Sequence, residues 1–252
     1  MVTGPTSGLG AGYARRYAAD GYDLVLVSRG VTRLEELAGE LTGEYGSAVQ
    51  VLPADLARAE DRATVAERLS SGVQVLVNNA GIGTSGEFWT AEPALLQTQL
   101  DLNVTAVMQL TRAALPAMID AGVGRVINVA SVAGLLSGRG STYSASKAWV
   151  VSFTEGLAGS LAGTGVGIHV VCPGYVRTEF HQRAGIDMAT LPSFMWMQVD
   201  DVVATSLADI AGGAVVSIPG VHYKTLVTIS RLLPRGLSRQ LTTTFGRGRG
   251  RT

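Results

Sequence analysis

The sequence predicts one α/β domain built on a doubly wound, parallel sheet of about seven strands, with helices on both faces. Short β-branched runs alternate with amphipathic or alanine-rich stretches of helical length over the first 220 residues, an arrangement typical of right-handed βαβ units. The runs are almost wholly apolar, as expected when helices cover both faces of the sheet. A glycine-rich stretch follows the first run. A chain of 252 residues needs no second α/β domain.

The predicted elements follow from these runs in order. After a short first strand, the predicted strands are Asp23–Ser28, Val49–Leu52, Val73–Asn78, Arg125–Ala130, Gly167–Pro173 and Ala214–Ile218. The longest predicted helices are Pro93–Ala121 and Ser141–Leu161. The first strand is anomalous, because only Met1, Val2 and Thr3 precede Gly4, whereas a central strand has about five residues. Either translation begins upstream of Met1 or this strand is curtailed.

The last 32 residues differ from the rest in pattern. Residues 1–220 are expected to form the domain, with a substrate lid at about 179–200, and residues 221–252 a basic, partly amphipathic extension. We expect the extension to cover the domain or a subunit contact, and contact with a membrane surface is the alternative. The arginine–glycine tail at 247–251 is interpreted as a solvated terminus.

Charge and cysteine content exclude several classes of function. Acidic and basic residues balance at 20 each, so the overall charge gives no reason to expect nucleic-acid binding. Cys172 is the single cysteine, which excludes an intrachain disulfide and suits a reducing cytoplasm. No apolar run approaches the roughly 20 residues that cross a bilayer. A glycine-rich motif beginning at Gly4 argues against a cleavable signal peptide. We therefore predict a cytoplasmic protein, and we assign no metal ligands.

The glycine-rich stretch TGPTSGLG lies between the first strand and the first helix. Glycine lets the backbone turn tightly and approach a pyrophosphate, and the following helix offers free N–H groups and a positive dipole end. The predicted cofactor residues in this loop are Gly4, Thr6, Ser7, Gly8, Leu9 and Gly10.

The end of the second strand is where a dinucleotide fold meets the adenosine ribose. Here the chain has Ser28 and Arg29. Arginine suits a 2′-phosphate, so NADP(H) is favoured over NAD(H), although Arg29 could simply end the strand in solvent. Asp55, followed by Leu56, is expected at the adenine edge, and an N-cap for the next helix is the alternative.

Tyr143 and Lys147 are four residues apart at the start of a predicted helix, so their side chains share one face. The ammonium of Lys147 would favour the ionised phenol and so allow Tyr143 to exchange a proton near neutral pH. Without it, a phenol with a pKa of about 10 holds its proton too firmly. Packing of both side chains without chemistry is the alternative.

Ser131 follows the strand at 125–130, so its hydroxyl is expected in the crevice beyond the carboxyl ends of the parallel strands. It could hydrogen-bond a substrate carbonyl and stabilise the oxygen that becomes negative during hydride attack. Tyr143 could then protonate that oxygen. The alternative is a serine that completes a turn.

Several motifs in order resemble the short-chain dehydrogenase/reductase family over about residues 2–180. They are TGPTSGLG, the NNAG run at 78–81, Asn103 in LNV, Ser131 in ASVAG, YSASK at 143–147 and CPGYVRT at 172–178. The resemblance implies a Rossmann-like fold, a nicotinamide cofactor and a homodimer or homotetramer that pairs its long helices.

The resemblance also implies further site residues. Lys147 would hold the nicotinamide ribose, and Asn103 would belong to a water-linked proton relay ending at Lys147, with a structural amide as the alternative. The adenosine side would be supported by Asn79, Ala80 and Gly81. The nicotinamide carboxamide would meet the segment that contains Pro173, Gly174, Val176 and Thr178.

The predicted lid is rich in large apolar residues, as is an earlier loop. They are Phe180, Leu191, Phe194, Met195, Trp196, Met197, Phe88 and Trp89. Such walls suit an apolar ketone, aldehyde or alcohol, and the same residues could bury a dimer contact. The sequence thus predicts an NADP(H)-dependent oxidoreductase with Tyr143 as general acid/base. The alternatives are a non-catalytic NADP(H)-binding sensor or scaffold, and an epimerase or dehydratase on the same fold.

Overall fold

The computed structural model of the protein describes residues 1–85, 87–136, 142–185 and 191–232. Residue 141, lid residues 186–190 and the segment from residue 233 onwards, including the arginine–glycine tail, lie outside the described residues. The strands are β1 Val2–Thr3, β2 Leu24–Ser28, β3 Val49–Pro53, β4 Val75–Asn78, β5 Gly124–Val129, β6 Val166–Val171, β7 Tyr175–Val176, β8 Trp196–Met197 and β9 Val216–Ser217. The α-helices are α1 Gly8–Ala19, α2 Val31–Tyr45, α3 Ala59–Ser70, α4 Pro93–Leu100, α5 Ala106–Asp120, α6 Thr142–Ser160, α7 Phe180–Arg183, α8 Val199–Ala211 and α9 Val221–Leu232.

The main sheet has seven strands in the order β3-β2-β1-β4-β5-β6-β9. All of its pairings are parallel, which confirms the predicted fold class. The two-residue strand β1 lies at the centre, with Val2 opposite both Leu26 and Val77. From β1 the chain proceeds first to β2 and β3 and then to the other side through β4. A crevice therefore opens between the carboxyl ends of β1 and β4, where such sheets bind ligands.

Alternate side chains of β2 show why both faces need helices. Leu24 and Leu26 pack in a cluster with residues of α1, α2 and α8. Val25 and Val27 point to the other face and pack with residues of α3 and α5. Since successive strand residues face opposite sides, a strand that is apolar throughout fits only a sheet covered on both faces.

The predicted helix at 93–121 is divided in the structure. A π-helical turn at Asp101–Thr105 separates α4 from α5. The structure also contains a two-stranded parallel sheet of β7 and β8, which pairs Tyr175 with Trp196 and Val176 with Met197. Strands of two residues are too short to give a periodic pattern, so the sequence did not predict them.

Helix α9 begins the C-terminal extension and packs on the domain. Tyr223 and Val227 are buried in a cluster with Val176, Met197 and Val202. Among the described residues, no helix is long and apolar enough to cross a membrane.

Candidate active site

A cavity of about 980 Å³ lies at the carboxyl ends of the central strands. Every residue that the sequence predicted as catalytic or cofactor-binding lines this cavity, except Gly10 and Asn103. The predicted residues found there are Gly4, Thr6, Ser7, Gly8, Leu9, Ser28, Arg29, Asp55, Leu56, Asn79, Ala80, Gly81, Ser131, Tyr143, Lys147, Pro173, Gly174, Val176 and Thr178. The topology thus brings segments that are distant in sequence to one crevice.

Gly10, predicted as a cofactor residue, is buried in α1 and does not line the cavity. A Cβ atom at this position would lie 2.2 Å from the carbonyl oxygen of Gly4. The Asn79 side-chain amide holds the same turn, because it donates to the carbonyl oxygens of Thr3 and Gly4 at 3.0 Å each. The absent side chain therefore lets helix α1 pack against the loop.

Asn103 also lies outside the cavity lining, in the π-helical turn, and it is fully buried. Its amide nitrogen donates to Ile82 O at 2.9 Å and to Ser146 Oγ at 3.2 Å, and its Oδ1 accepts from Ile82 N at 2.9 Å. These bonds join the segment after β4 to helix α6, which corresponds to the structural alternative raised from the sequence. Asn103 also approaches Lys147 across Gly81, since a Cβ on Gly81 would lie 3.0 Å from Asn103 Oδ1 and 3.5 Å from Lys147 Nζ.

Tyr143 and Lys147 point to the same side of α6, as their spacing predicts. The Lys147 Nζ atom lies 5.8 Å from the centroid of the Tyr143 ring. It donates a hydrogen bond of 2.8 Å to the carbonyl oxygen of Val129, at the end of β5. Burial disfavours the charged ammonium and lowers the pKa of Lys147 to about 8. The amine is thus held beside the phenol with a proton affinity tuned towards neutral pH.

Ser131 begins a 3₁₀ turn at Val132–Gly134, directly after β5. Its Oγ accepts a hydrogen bond of 3.1 Å from Ala133 N, so it fulfils the turn role that the sequence left as the alternative. A hydroxyl that accepts one bond can still donate its own proton. The turn packs closely on α6, because a Cβ on Gly134 would lie 2.6 Å from the carbonyl carbon of Lys147.

A chain of buried polar side chains fixes α6 below the cavity. Asn78 Nδ2 donates to Asn128 Oδ1 at 2.9 Å and to Thr111 Oγ1 at 3.1 Å. Asn128 Nδ2 in turn donates to Thr154 Oγ1 at 3.0 Å. These bonds join β4, β5, α5 and α6, while Asn78 Oδ1 has no hydrogen-bond partner among the described residues.

The adenosine end of the cavity has features that fit a phosphorylated ribose. Ser28 Oγ is buried and has no hydrogen-bond partner among the described residues, and buried polar groups are nearly always hydrogen-bonded. Arg29 lines the cavity beside it, and Arg33 of α2 adds a second guanidinium. Asp55 Oδ1 accepts from Ala57 N at 3.1 Å. This bond completes a turn rather than capping α3, whose N-cap residue is Arg58.

The opposite end of the cavity is apolar. Its lining there includes Ile82, Leu136, Tyr175, Phe180, Ala184, Met195, Tyr223 and Leu226. Phe180 places its ring 5.7 Å from that of Tyr143. Of the apolar residues predicted for the substrate wall, only Phe180 and Met195 line the cavity. Phe88, Trp89 and Phe194 are 55%, 78% and 70% exposed and lie outside the lining, as do Leu191, Trp196 and Met197.

Tyr223 was not predicted to belong to the site. Its hydroxyl donates to Met195 O at 2.6 Å and accepts from Tyr175 N at 3.0 Å, so helix α9 is bonded to strand β7 and to the residue directly before β8. The segment had no motif to identify it. Arg33 follows Arg29 by four residues, but Arg29 precedes helix α2, so no helical spacing predicted that both would line the cavity.

Comparisons with known proteins agree with this geometry. The family model described as short chain dehydrogenase matches residues 1–189. The chain is 37% identical over 180 residues to the ketoacyl reductase HetN of a Nostoc species, a match that covers 70% of this chain and 62% of HetN. The match thus spans less than two thirds of that relative.

Two solved structures are similar along most of the chain. A short-chain dehydrogenase from Sphingobium yanoikuyae in complex with NADPH has a TM-score of 0.84 and 40% identity, covering 88% of this chain and 87% of that one. A bulky-bulky ketone specific alcohol dehydrogenase from Comamonas testosteroni has a TM-score of 0.79 and 32% identity, covering 94% and 91%.

Proposed function

Because this chain belongs to the short-chain dehydrogenase/reductase family, we propose that it is an NADP(H)-dependent oxidoreductase that interconverts an apolar ketone or aldehyde and its alcohol. The observation that carries the proposal is the meeting of Ser131, Tyr143 and Lys147 in the same cavity as Arg29. At one end of that cavity Tyr143 can donate or accept a proton, and at the other end Arg29 can bind a phosphate.

In the reductive direction, bound NADPH supplies the hydride. Tyr143 donates its phenolic proton to the carbonyl oxygen as that oxygen becomes negative, and the Ser131 hydroxyl donates a hydrogen bond to the same oxygen. Lys147, 5.8 Å from the Tyr143 ring centroid, stabilises the phenolate that remains. In the oxidative direction, the phenolate takes the proton from the alcohol.

The preference for NADP(H) rests on the adenosine end. Arg29 and Arg33 offer planar cations that suit a phosphate, and the unpartnered Ser28 hydroxyl offers a further donor. No carboxylate follows β2 directly, where an NAD-binding site would use one to accept bonds from a ribose 2′-hydroxyl. The similarity to a structure that contains NADPH supports the same choice.

The preference for an apolar substrate rests on the wall formed by Ile82, Leu136, Phe180, Met195 and Leu226 beside Tyr143. Desolvating a charged substrate against such a wall would cost free energy without compensation. The similarity to a bulky-bulky ketone specific alcohol dehydrogenase supports a large ketone rather than a small polar aldehyde.

The test is oxidation of NADPH and NADH, followed at their absorbance maximum, with aliphatic, aromatic and polycyclic ketones. We expect turnover with NADPH, and we expect Tyr143→Phe to reduce kcat by about 10³-fold or more because the general acid is lost. The Kd for NADPH, measured by calorimetry, should change by less than about threefold.

Tyr22→Phe is the matched control, because Tyr22 is a tyrosine that does not line this cavity. It should keep full activity. Undiminished turnover in Tyr143→Phe would refute the acid/base role. Absence of cofactor oxidation with every ketone, together with tight NADPH binding, would favour a non-catalytic sensor.

A further inference from the structure

Glu179, at the start of the lid, lies between two arginines that line the cavity. Its Oε2 atom is 4.0 Å from Arg33 Nη1 of helix α2 and accepts a hydrogen bond from Arg183 Nη2. Arg183 also donates through Nη1 to Ser7 Oγ in the glycine-rich loop at 3.3 Å. These contacts connect the predicted lid segment to the glycine-rich loop and to helix α2, both of which line the cofactor end of the cavity.

The two contacts of Glu179 differ in strength. Arg183 is in direct hydrogen-bond contact, whereas the Arg33 pair is at the outer limit for an ion pair. The side chains of Arg33 and Glu179 are 61% and 54% exposed, and solvent-exposed pairs of this kind contribute little free energy. Separating Arg33 from Glu179 therefore costs little free energy.

Arg33 lies in the first turn of α2, four residues after Arg29. Both arginines line the cavity, as does Ser28, whose buried hydroxyl has no hydrogen-bond partner among the described residues. A phosphate monoester carries about two negative charges and three acceptor oxygens. It is a stronger partner for a guanidinium than a single exposed carboxylate is. Glu179 would not be left unpaired by the exchange, because Arg183 remains bonded to it.

Resting on the proposed use of NADP(H), we propose that Arg33 is a second ligand of the 2′-phosphate and that Glu179 of the lid competes with that phosphate for it. Arg33 is then a specificity-determining residue, and the lid carboxylate sets how tightly the phosphorylated cofactor binds. NAD, which lacks the 2′-phosphate, leaves the Arg33–Glu179 pair intact.

The test is calorimetric titration of the full chain with NADP⁺ and NAD⁺, comparing wild type with Arg33→Gln, Glu179→Gln and the double variant. Arg33→Gln should weaken NADP⁺ binding about tenfold, because a charge-assisted contact is lost, and leave NAD⁺ binding within about twofold. Glu179→Gln should strengthen NADP⁺ binding about two- to fivefold, because the competitor is removed. In the double variant the gain from Glu179→Gln should disappear, since there is no guanidinium left to release.

Arg15→Gln is the matched control. Arg15 is an exposed arginine of α1 that lies outside the cavity and is paired with Glu40 of α2, the helix that also carries Arg33. The variant therefore tests whether loss of any exposed positive charge has the same effect. It should not change the NADP⁺ to NAD⁺ ratio.

The outcomes separate this inference from the proposed function. If wild type binds NAD⁺ as tightly as NADP⁺, the proposed cofactor preference itself is wrong. If wild type prefers NADP⁺ but Arg33→Gln keeps that preference, the role of Arg33 alone is refuted. If Glu179→Gln leaves or weakens NADP⁺ binding, or if its gain persists in the double variant, the competition is refuted.

Discussion

At the scale of single residues, burial changes the pKa of Lys147, a residue proposed to assist Tyr143. Its ammonium is buried and has a backbone carbonyl, Val129 O, as its hydrogen-bond acceptor. Removing a cation from water costs free energy, and the lowered pKa of about 8 is the measure of that cost. The sequence predicted that Lys147 would shift the pKa of Tyr143. It did not predict that the pKa of Lys147 itself would fall.

The first prediction concerns pH. Because the folded pKa of Lys147 is about 8, below the value of 10.5 for a free lysine, the unfolded chain binds more protons between these values. The unfavourable contribution of Lys147 to stability is therefore largest below pH 8 and diminishes as pH rises to about 10.5. In the proposed mechanism ketone reduction needs the cation beside Tyr143, so its rate should decline as pH rises above about 8.

The chain has only two lysines, Lys147 and Lys224, so the titration can be observed directly. Labelling with [ε-¹³C]lysine should give two NMR signals, and Lys224→Arg identifies which belongs to Lys147. That signal should titrate near pH 8. A Lys147 signal that titrates at the ordinary value of a free lysine would contradict the prediction.

At the scale of elements, the geometry of the proposed catalytic side chains depends on how closely two segments pack. Ser131 is on a 3₁₀ turn and Tyr143 is on α6, and Gly134 brings the turn against the backbone of that helix at Lys147. The predicted strand bounds and motif spacings could not specify this contact. Close packing of backbone on backbone depends on how the two segments cross, and no local pattern encodes that crossing.

The second prediction follows from this contact. Gly134→Ala would place a Cβ 2.6 Å from the Lys147 carbonyl carbon and 2.7 Å from Ala148 N, so the turn and α6 must separate. We expect kcat for ketone reduction to fall about 10- to 100-fold, since small displacements of reacting groups are costly. Denaturant unfolding should show a loss of about 1–3 kcal/mol.

Gly156→Ala is the control, because Gly156 is in the same helix and a Cβ there would meet nothing within 4 Å. It should stabilise the protein by about 0.5–1 kcal/mol and leave kcat unchanged. Equal kcat values for both variants would show that the turn and α6 need no close approach.

At the scale of the whole molecule, the apolar end of the cavity is completed by the C-terminal extension. Tyr223 of α9 joins Tyr175 after β6 to Met195 in the lid through one hydroxyl. Leu226 of the same helix lines the cavity. The extension therefore contributes to the cavity as well as covering the domain.

The third prediction tests this long-range connection. Tyr223→Phe removes the partner of Tyr175 N and Met195 O, which should cost about 1–3 kcal/mol in unfolding free energy. Because the lost bonds position Met195 and Tyr175 in the cavity wall, KM for the ketone should rise severalfold while the Kd for NADPH stays within about twofold. Steady-state kinetics and calorimetry measure the two quantities.

Tyr13→Phe provides the comparison. The Tyr13 hydroxyl shares a buried hydrogen bond of 2.6 Å with Ser206 Oγ and does not line the cavity. Its loss should reduce stability by a similar amount without raising KM. If both variants changed KM equally, the effect would reflect general destabilisation rather than the position of the lid.

The sequence by itself determined the parallel sheet, its coverage on both faces and the residue types at the ends of its strands. These features are local: apolar runs, glycine turns and an i,i+4 pair depend on neighbouring residues alone. That is why Arg29, Ser131, Tyr143 and Lys147 could be predicted for one cavity before any coordinates.

Only the tertiary structure decided which side chains complete that cavity and which do not. Phe88 and Trp89 look like pocket residues in the sequence but are exposed, whereas Tyr223 and Arg33 carry no motif and line the cavity. The buried state of Asn103, and its bonds to Ile82, likewise arise from how α4, α5 and α6 cross. Contacts between segments that are distant in sequence depend on how those segments pack in three dimensions. The periodicity of the sequence contains no information about that packing.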